Sequence, residues 1–300
     1  MIFALAPWPP PLSEQDCANV DQQASWWTAL NPPIYLVSVL PGLGVLLIAG
    51  DSPPWLAGLA LGTVAVVLLQ HAINLLNDVS DWRLGADVNK YDSWVRVHEE
   101  DTRLASLHGL ASALAGTTLG VGLLVWSDSL WLLVIAAPMV VLGYLYNAGP
   151  RPLSYTSLGE WVTGLCYGPG VFGCLWLLAG LPLQPATAFG ALAFAALAMA
   201  LLLSHQPPQI ETDMAAGKHS FAVRYGALRT WQTARWLAVL FLVSAGIGIG
   251  LGEPRPVTGA VYAVTALAAI VFVIRVRPNP RRILLPSTGV IIASLVADAM

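Results

Sequence analysis

The chain has 300 residues, of which 56% are hydrophobic and only 10% charged. Soluble domains carry about a quarter charged residues, so this much apolar surface requires lipid as its solvent. A formal net charge of -3 without a basic tract argues against a nucleic-acid partner. Three scattered cysteines, Cys17, Cys166 and Cys174, exclude a disulfide framework or a zinc site.

Ile2-Phe3-Ala4-Leu5-Ala6 is too short for a signal-peptide core and no Lys or Arg precedes it. Residues 1–25, with Pro9-Pro10-Pro11 and several acids, read as a polar cytosolic leader. A membrane-spanning helix needs about 20 mostly apolar residues. Nine segments qualify, near 33–50, 55–77, 104–126, 129–146, 158–180, 184–204, 230–251, 257–275 and 283–299. The last is the weakest, with Pro286 near its start and Asp298 near its end. The fold class expected is all-α, a polytopic membrane protein of about nine transmembrane helices around a central cavity. Short polar breaks such as Asp51-Ser52-Pro53-Pro54, Ser127-Asp128 and Gly252–Pro256 separate helices on one side. Long loops, 78–103, 147–157, 205–229 and 276–282, lie on the other.

Of the 14 Lys and Arg residues, all but Arg255 fall in or beside the long loops, which marks that side as cytoplasmic. Nine spans then put the N-terminus in the cytoplasm and the C-terminus outside. Trp26, Trp27, Trp55, Trp126, Trp131 and Trp231 lie near predicted helix ends, as an aromatic belt requires. Gly246, Gly248, Gly250 and Gly252 suggest close helix packing late in the seventh span.

The second span ends in a burst of polar groups, His71-Ala-Ile-Asn74-Leu-Leu-Asn77-Asp78-Val-Ser-Asp81. If the helix continues to Asp81, His71, Asn74, Asn77, Asp78 and Asp81 share one face at the membrane surface, and Asp87 follows on the loop after Gly85. One reading is a solvated, acidic helix end. The other is a cation site, because converging carboxylates and amide oxygens repel unless a cation sits among them. Hard oxygen donors favour Mg²⁺, which binds through one or two carboxylates together with a substrate phosphate.

The third long loop echoes this stretch. From Asn77 to Lys90 is 13 residues, as is the run from His205 to Lys218. Each follows an even-numbered span and combines amide or imidazole groups, carboxylates, a Gly and a Lys, as two facing half-sites of a diverged repeat would. Two acidic helix ends with Lys218, Arg96 and Arg224 nearby would hold a diphosphate.

These residues resemble the UbiA-type intramembrane aromatic prenyltransferases. Asn77-Asp78-x-x-Asp81 followed by Gly85-x-Asp87 is similar to that family's first Asp-rich motif. Asn74-Leu75-Leu76 before it most resembles the menaquinone branch, the 1,4-dihydroxy-2-naphthoate prenyltransferases. Trp26-Trp27, Asn31-Pro32 and Pro41 resemble that branch's first helix, with Asn31 where the family usually has a basic residue. Tyr146-Asn147-Ala148-Gly149-Pro150-Arg151-Pro152-Leu153, Leu158-Gly159-Glu160 and Tyr167-Gly168-Pro169-Gly170 resemble its central loop and fifth helix. Glu211-x-Asp213-x-Ala215-Ala216-Gly217-Lys218 and Ala222-Val223-Arg224-x-Gly226 resemble the second Asp-rich motif and its tail. That motif departs from the family at Gln209, where an Asp is usual, and a neutral ligand there weakens Mg²⁺ binding.

The resemblance implies one transmembrane prenyltransferase-like domain over 1–300, in a bacterial cytoplasmic membrane. It would transfer a prenyl group from a polyprenyl diphosphate to an aromatic, dihydroxynaphthoate-like acceptor in quinone biosynthesis, with Mg²⁺. Asn74, Asn77, Asp78, Asp81 and Asp87 would serve a first metal; Glu211, Asp213 and Gln209 would serve a second. Asp78, Asp81, Asp213 and Lys218 would carry catalysis. Arg96, Arg151, Lys218 and Arg224 would hold phosphate or the acceptor's carboxylate. His71 would line the pocket or pack a helix, and Tyr144 and Tyr146 would stack on an allylic cation or anchor the interface. Glu160 is an intramembrane acid, hence a site candidate, or a cap on its own helix. Asp78 and Asp81 are expected at a solvated membrane edge. The other readings are a non-catalytic prenyl-lipid-binding relative, favoured by Gln209, and a membrane transporter, whose sites usually lie nearer the midplane.

The topology is testable. Single cysteines at positions 218 and 281 should react with an impermeant maleimide only from the cytoplasmic face, and one at position 300 only from outside. Labelling of 218 and 281 from outside alone would overturn the assignment.

Overall fold

Lipid solvates apolar side chains as well as a protein interior does, so packing in the bilayer depends on close approach of helices rather than on escape from water. The computed structural model describes residues 24–50, 54–85, 90, 92–147 and 152–300, and among these there is no strand. The helices are α1 (Trp26–Leu30), α2 (Leu36–Ile48), α3 (Leu56–Leu84), α4 (Trp94–Val97), α5 (Thr102–Trp126), α6 (Leu133–Asn147) and α7 (Gly159–Leu165). They continue with α8 (Gly173–Leu178), α9 (Pro185–His205), α10 (Ile210–Ala215), α11 (Phe221–Leu251), α12 (Pro256–Arg275) and α13 (Pro280–Ala299). Nine helical stretches of the described residues are long and apolar enough to span a membrane, one for each expected segment. The chain is an integral membrane protein.

The central helix is α9, the most buried of the spans. Its Ala186, Gly190, Ala193, Ala196 and Ala200 are buried, and these small residues let α2, α8, α11 and α13 come close. Phe172 stacks on Phe194 at 5.2 Å between centroids, and Phe194 meets Phe241 at 5.7 Å. Gly44 and Gly190 make room for these rings: a Cβ at either would lie within 2.3 Å of Phe194 or Phe172. The fifth span joins α7 to α8 through a π-helical stretch, Cys166–Phe172, that contains Pro169. Proline has no N–H to give an α-helical ladder, and a π turn absorbs the mismatch.

Two boundaries differ from the sequence expectation. The second span runs on past residue 77 to Leu84 and stops at Gly85, whose φ of 79° ends the helix in the left-handed region. The segment 205–229, expected as a loop, is largely helical: α10 lies within it, and α11 begins at Phe221 rather than near 230. Gly226, at φ 79° and ψ 163°, breaks the helical geometry inside α11, so its polar first turns are set off from the apolar span. The ninth span is continuous through Pro286, with Ser287 and Thr288 hydroxyls bonded to the Ile283 and Leu284 carbonyls.

At the end of the bundle away from the long loops, Gly252 presses on the end of α2. A Cβ built on it would lie 2.1 Å from the Ile48 carbonyl oxygen, whereas one on Gly250 meets open space. Gly252→Ala should therefore lower stability by about 1–3 kcal/mol through overpacking. Gly250→Ala should leave the midpoint unchanged or raise it, both read by thermal unfolding in detergent.

Candidate active site

Continued helicity to Leu84 places Asn77, Asp78 and Asp81 on the same face of α3, and the chain then folds back over them. Lys90 Nζ lies 2.9 Å from Asp78 Oδ1, and the Trp94 backbone N–H, at the start of α4, donates to Asp78 Oδ2 at 2.7 Å. Asp81 Oδ1 accepts from the Tyr155 hydroxyl at 2.9 Å. Asp81 Oδ2 accepts from Asn77 Nδ2 at 3.0 Å and from Lys218 Nζ at 3.1 Å.

Lys218 arrives from the other half of the chain. After α10 the backbone turns at Gly217, φ 74°, and the Lys218 N–H closes on the Asp213 carbonyl at 2.8 Å. This returns the ammonium to within 3.6 Å of Asp213 Oδ1, while Ser220 donates to Asp213 Oδ2 at 2.9 Å. The ammonium also lies 4.8 Å from the centre of the Tyr155 ring. One cation thus joins a carboxylate of α3 to a carboxylate of α10.

The carboxylates are not at a solvated edge, contrary to the sequence expectation: Asp78, Asp81 and Asp213 are 4%, 2% and 5% exposed. Burial is tolerable because both oxygens of each are matched by hydrogen-bond donors or an ammonium, which offsets the cost of leaving water.

Glu160, 4% exposed, forms a second buried network. Its Oε1 accepts from the Phe221 N–H at 2.7 Å and from Gln206 Nε2 at 3.1 Å, and its Oε2 lies 3.3 Å from Arg224 Nη2. Gln206 Oε1 in turn accepts from the Ala222 N–H at 3.2 Å. Glu160 and Gln206 therefore satisfy the first free N–H groups of α11, where a negative charge is favourable. The helix capped is not Glu160's own but one 61 residues later. Arg224, bonded also to the His219 carbonyl, belongs to this clamp.

The other expected site residues are spread around these two networks. His71 shares a 2.6 Å hydrogen bond with the Tyr35 hydroxyl, and Asn74, the next turn along α3, is half-buried. Tyr146 is half-buried. Arg96 lies over the Trp82 ring at 5.8 Å. Gln209 is half-buried and Glu211 is exposed, so the acids of the second motif divide, with Asp213 inside and Glu211 outside. Asp87 and Arg151 lie outside the described residues.

Several residues were missed in the sequence. Tyr155 and Ser220 carry no motif of their own. Lys90 had a signal, since the 13-residue repeat pairs it with Lys218, and both lysines meet carboxylates. A histidine chain was also missed: His71 Nε2 lies 3.2 Å from His108 Nε2, and His108 Nδ1 lies 3.2 Å from His98 Nε2. Trp26 packs edge-on against His98 and tilted against His108, and Trp94 packs edge-on against His71 and His108, tying α1, α3, α4 and α5 together.

No group of three or more His, Cys, Asp or Glu side chains among the described residues forms a ready metal cage. The donor chemistry nonetheless fits a hard divalent cation. Asp81 and Asp213 converge on one point charge, and Asn77, having spent its Nδ2 on Asp81, keeps a carbonyl oxygen beside them.

The family model described as the UbiA prenyltransferase family matches residues 36–285 of this chain. The chain belongs to that family. It is 30% identical over 251 residues to a 2-carboxy-1,4-naphthoquinone phytyltransferase, chloroplastic, of Arabidopsis thaliana, covering 77% of this chain and 63% of the relative. The chain thus spans less than two thirds of that relative's length. It is 29% identical over 258 residues to a 1,4-dihydroxy-2-naphthoate octaprenyltransferase of Mycobacterium tuberculosis, covering 82% of this chain and 85% of the relative. Its fold is similar to that of a UbiA homologue from Archaeoglobus fulgidus solved with DMAPP and Mg²⁺, with a TM-score of 0.65 at 15% identity, over 92% of this chain and 100% of the other.

Within this UbiA fold, Asp81→Ala would remove the nearer carboxylate of Lys218, leaving it Asp213 at 3.6 Å, and the acceptor of the Tyr155 hydroxyl's 2.9 Å bond. Removing one partner of a buried pair should cost about 3 kcal/mol or more. Asp81→Asn, which keeps the shape and can still hydrogen-bond, should cost clearly less. The comparison is thermal unfolding of both variants in the same detergent; equal losses would show that the charge is not what holds this end of the bundle.

Proposed function

We propose that the chain transfers a prenyl group from a polyprenyl diphosphate to an electron-rich aromatic acceptor of the dihydroxynaphthoate class. The observation that carries this reading is the ammonium of Lys218 held between Asp81 and Asp213, which joins two acidic helix ends at one point of a UbiA family member. Naphthoate-directed prenyl and phytyl transfer in the relatives' names supports the acceptor class. A prenyl diphosphate and Mg²⁺ in the solved homologue support the donor and the metal.

In this reading Asn77, Asp78, Asp81 and Asp213 would hold Mg²⁺. The metal would supply positive charge to the diphosphate oxygens as the leaving group departs. Lys218 and Lys90, released from their carboxylates as the donor enters, bind remaining phosphate oxygens. Tyr155 holds Asp81 at a fixed rotamer through its hydroxyl, and Ser220 does the same for Asp213. The bond from the allylic carbon to the diphosphate oxygen breaks, its electron pair leaving with the diphosphate, and a ring carbon of the acceptor uses its π pair to form the new carbon–carbon bond. The ring regains aromaticity by losing the group on that carbon, a proton to the released diphosphate or, where the carbon bears the carboxylate, CO2. Burial of the carboxylates keeps water from the allylic cation, which would otherwise be captured as the alcohol. The prenyl tail lies among apolar helices, where it needs no polar partner. The Glu160 clamp sets where α11 starts, and so where Lys218, three residues earlier, can reach.

The test is transfer of a labelled prenyl diphosphate to a panel of aromatic acceptors by membranes containing the chain. Dihydroxynaphthoate should be prenylated, chelation of divalent cations should stop the reaction, and Lys218→Met should lower the rate by about 10²–10³, the scale for removing one preorganised group from a developing charge. A fully active Lys218→Met variant, or transfer that survives chelation, would sink the mechanism. Gln209→Asp extends the test: a side chain that faces the metal should shift the Mg²⁺ midpoint downward by about tenfold or more. An unchanged midpoint would place Gln209 away from the metal.

A further inference from the structure

The side of α3 turned away from the aspartates borders a separate cavity of about 340 Å³, near the low end of small-molecule sites. Ile73, Leu76, Ser80 and Arg83 recur at helical spacing on that side, whereas Asn77, Asp78 and Asp81 occupy the other. The opposite wall comes from Gly143 and Asn147 of α6. Because Gly143 has no side chain, the floor stays open; a Cβ there would lie 2.8 Å from Ile73 Cδ1.

Two polar groups give the cavity its chemistry. Asn147 is 4% exposed, and its Nδ2 donates to the Ile73 carbonyl at 3.0 Å, which fixes the orientation of the amide. Its Oδ1 is buried and has no hydrogen-bond partner among the described residues. Buried acceptors without a donor are rare in folded proteins, and this one lines the cavity. Arg83 stands at the mouth, exposed; its one side-chain hydrogen bond among the described residues is a long one, 3.4 Å, to Thr102 Oγ1. Exposed Leu84 and Tyr144 continue the rim into the region where lipid headgroups meet acyl chains.

A ligand that satisfies all of this carries an anion for Arg83, a hydrogen-bond donor for Asn147 and an apolar tail for the floor. We propose that the cavity is a binding site for a glycerophospholipid whose headgroup bears a donor: phosphate on Arg83, headgroup hydroxyl or ammonium on Asn147 Oδ1, and acyl chain along Ile73, Leu76 and Gly143. Such a lipid braces α3 from behind, opposite the carboxylates. The proposal concerns binding and does not depend on prenyl transfer.

The experiment uses the full chain, purified in detergent and stripped of lipid, with phosphatidylglycerol, phosphatidylethanolamine and phosphatidylcholine of identical acyl chains, and glycerol 3-phosphate as a tail-less control. Native mass spectrometry counts retained lipid, and thermal unfolding reads the stabilisation. Phosphatidylglycerol and phosphatidylethanolamine should be retained about tenfold better than phosphatidylcholine, which has the phosphate but no donor. Glycerol 3-phosphate should give no shift. Arg83→Gln should weaken retention of all three lipids, and since Arg83 is exposed this variant does not burden the fold. Asn147→Leu should abolish the preference over phosphatidylcholine. Equal retention of the three lipids by the wild-type chain, or retention unchanged in Arg83→Gln, would mean ordinary annular lipid and overturn the proposal. Protection by glycerol 3-phosphate equal to that by phosphatidylglycerol would overturn it in favour of a soluble-anion site. A chain inactive in prenyl transfer would still give these binding results, so the two readings fail separately.

Discussion

Asp78, Asp81, Glu160 and Asp213, buried carboxylates at one end of a membrane protein, must each find a matching charge or a full set of donors, because the surroundings cannot solvate them. Lys218 is the group on which this depends most. It is held by Asp81 from the second span and Asp213 from the segment after the sixth, so neither half can move without exposing the other to an unpaired charge. The surrounding geometry serves that placement. Gly217 turns the chain, the His219 N–H bonds the Tyr155 carbonyl at 3.0 Å, and Tyr155 supports both the carboxylate and the ammonium.

The rest of the bundle is held by different physics. Within the bilayer no apolar side chain gains by leaving lipid, and cohesion comes from dispersion between surfaces that fit. Small residues along α9, glycines beneath the Phe172–Phe194 stack, and the contact of Gly252 with the end of α2 supply that fit. In the proposed reading, a polar, tightly bonded end on a small-residue bundle would give a diphosphate headgroup and a prenyl tail the two environments they need. The Glu160 clamp joins the two regions, since it fixes the first turn of α11 to the start of the fifth span.

The two sides of α3 divide the labour of this helix. One side presents Asp78 and Asp81 to Lys90 and Lys218, and the other borders the cavity with Arg83 and Asn147. The departure at Gln209 falls on the second half-site, where Asp213 is buried and Glu211 is turned outward. In the proposed reading, a half-site with fewer charged ligands would rely more on oxygens brought by the diphosphate itself.

Sequence alone determined the nine spans, because a run of about 20 apolar residues is a local property that lipid reads without reference to the rest of the chain. That His71, Asn74, Asn77, Asp78 and Asp81 share a face was readable too, since helical spacing is local, but only on the condition that the helix ran on to Asp81. The lengthening of α3 to Leu84 and the early start of α11 were not legible, since their polar turns lie beyond the apolar runs and are held by partners elsewhere. Only the tertiary structure decided that Lys90 meets Asp78 while Lys218 is shared between Asp81 and Asp213, that Tyr155 reaches Asp81 across 74 residues, and that Glu160 caps a helix beginning at Phe221. It alone decided that these carboxylates are buried rather than solvated. Composition and spacing carry information over a few turns, whereas a buried charge is neutralised by whatever the fold brings within about 4 Å of it.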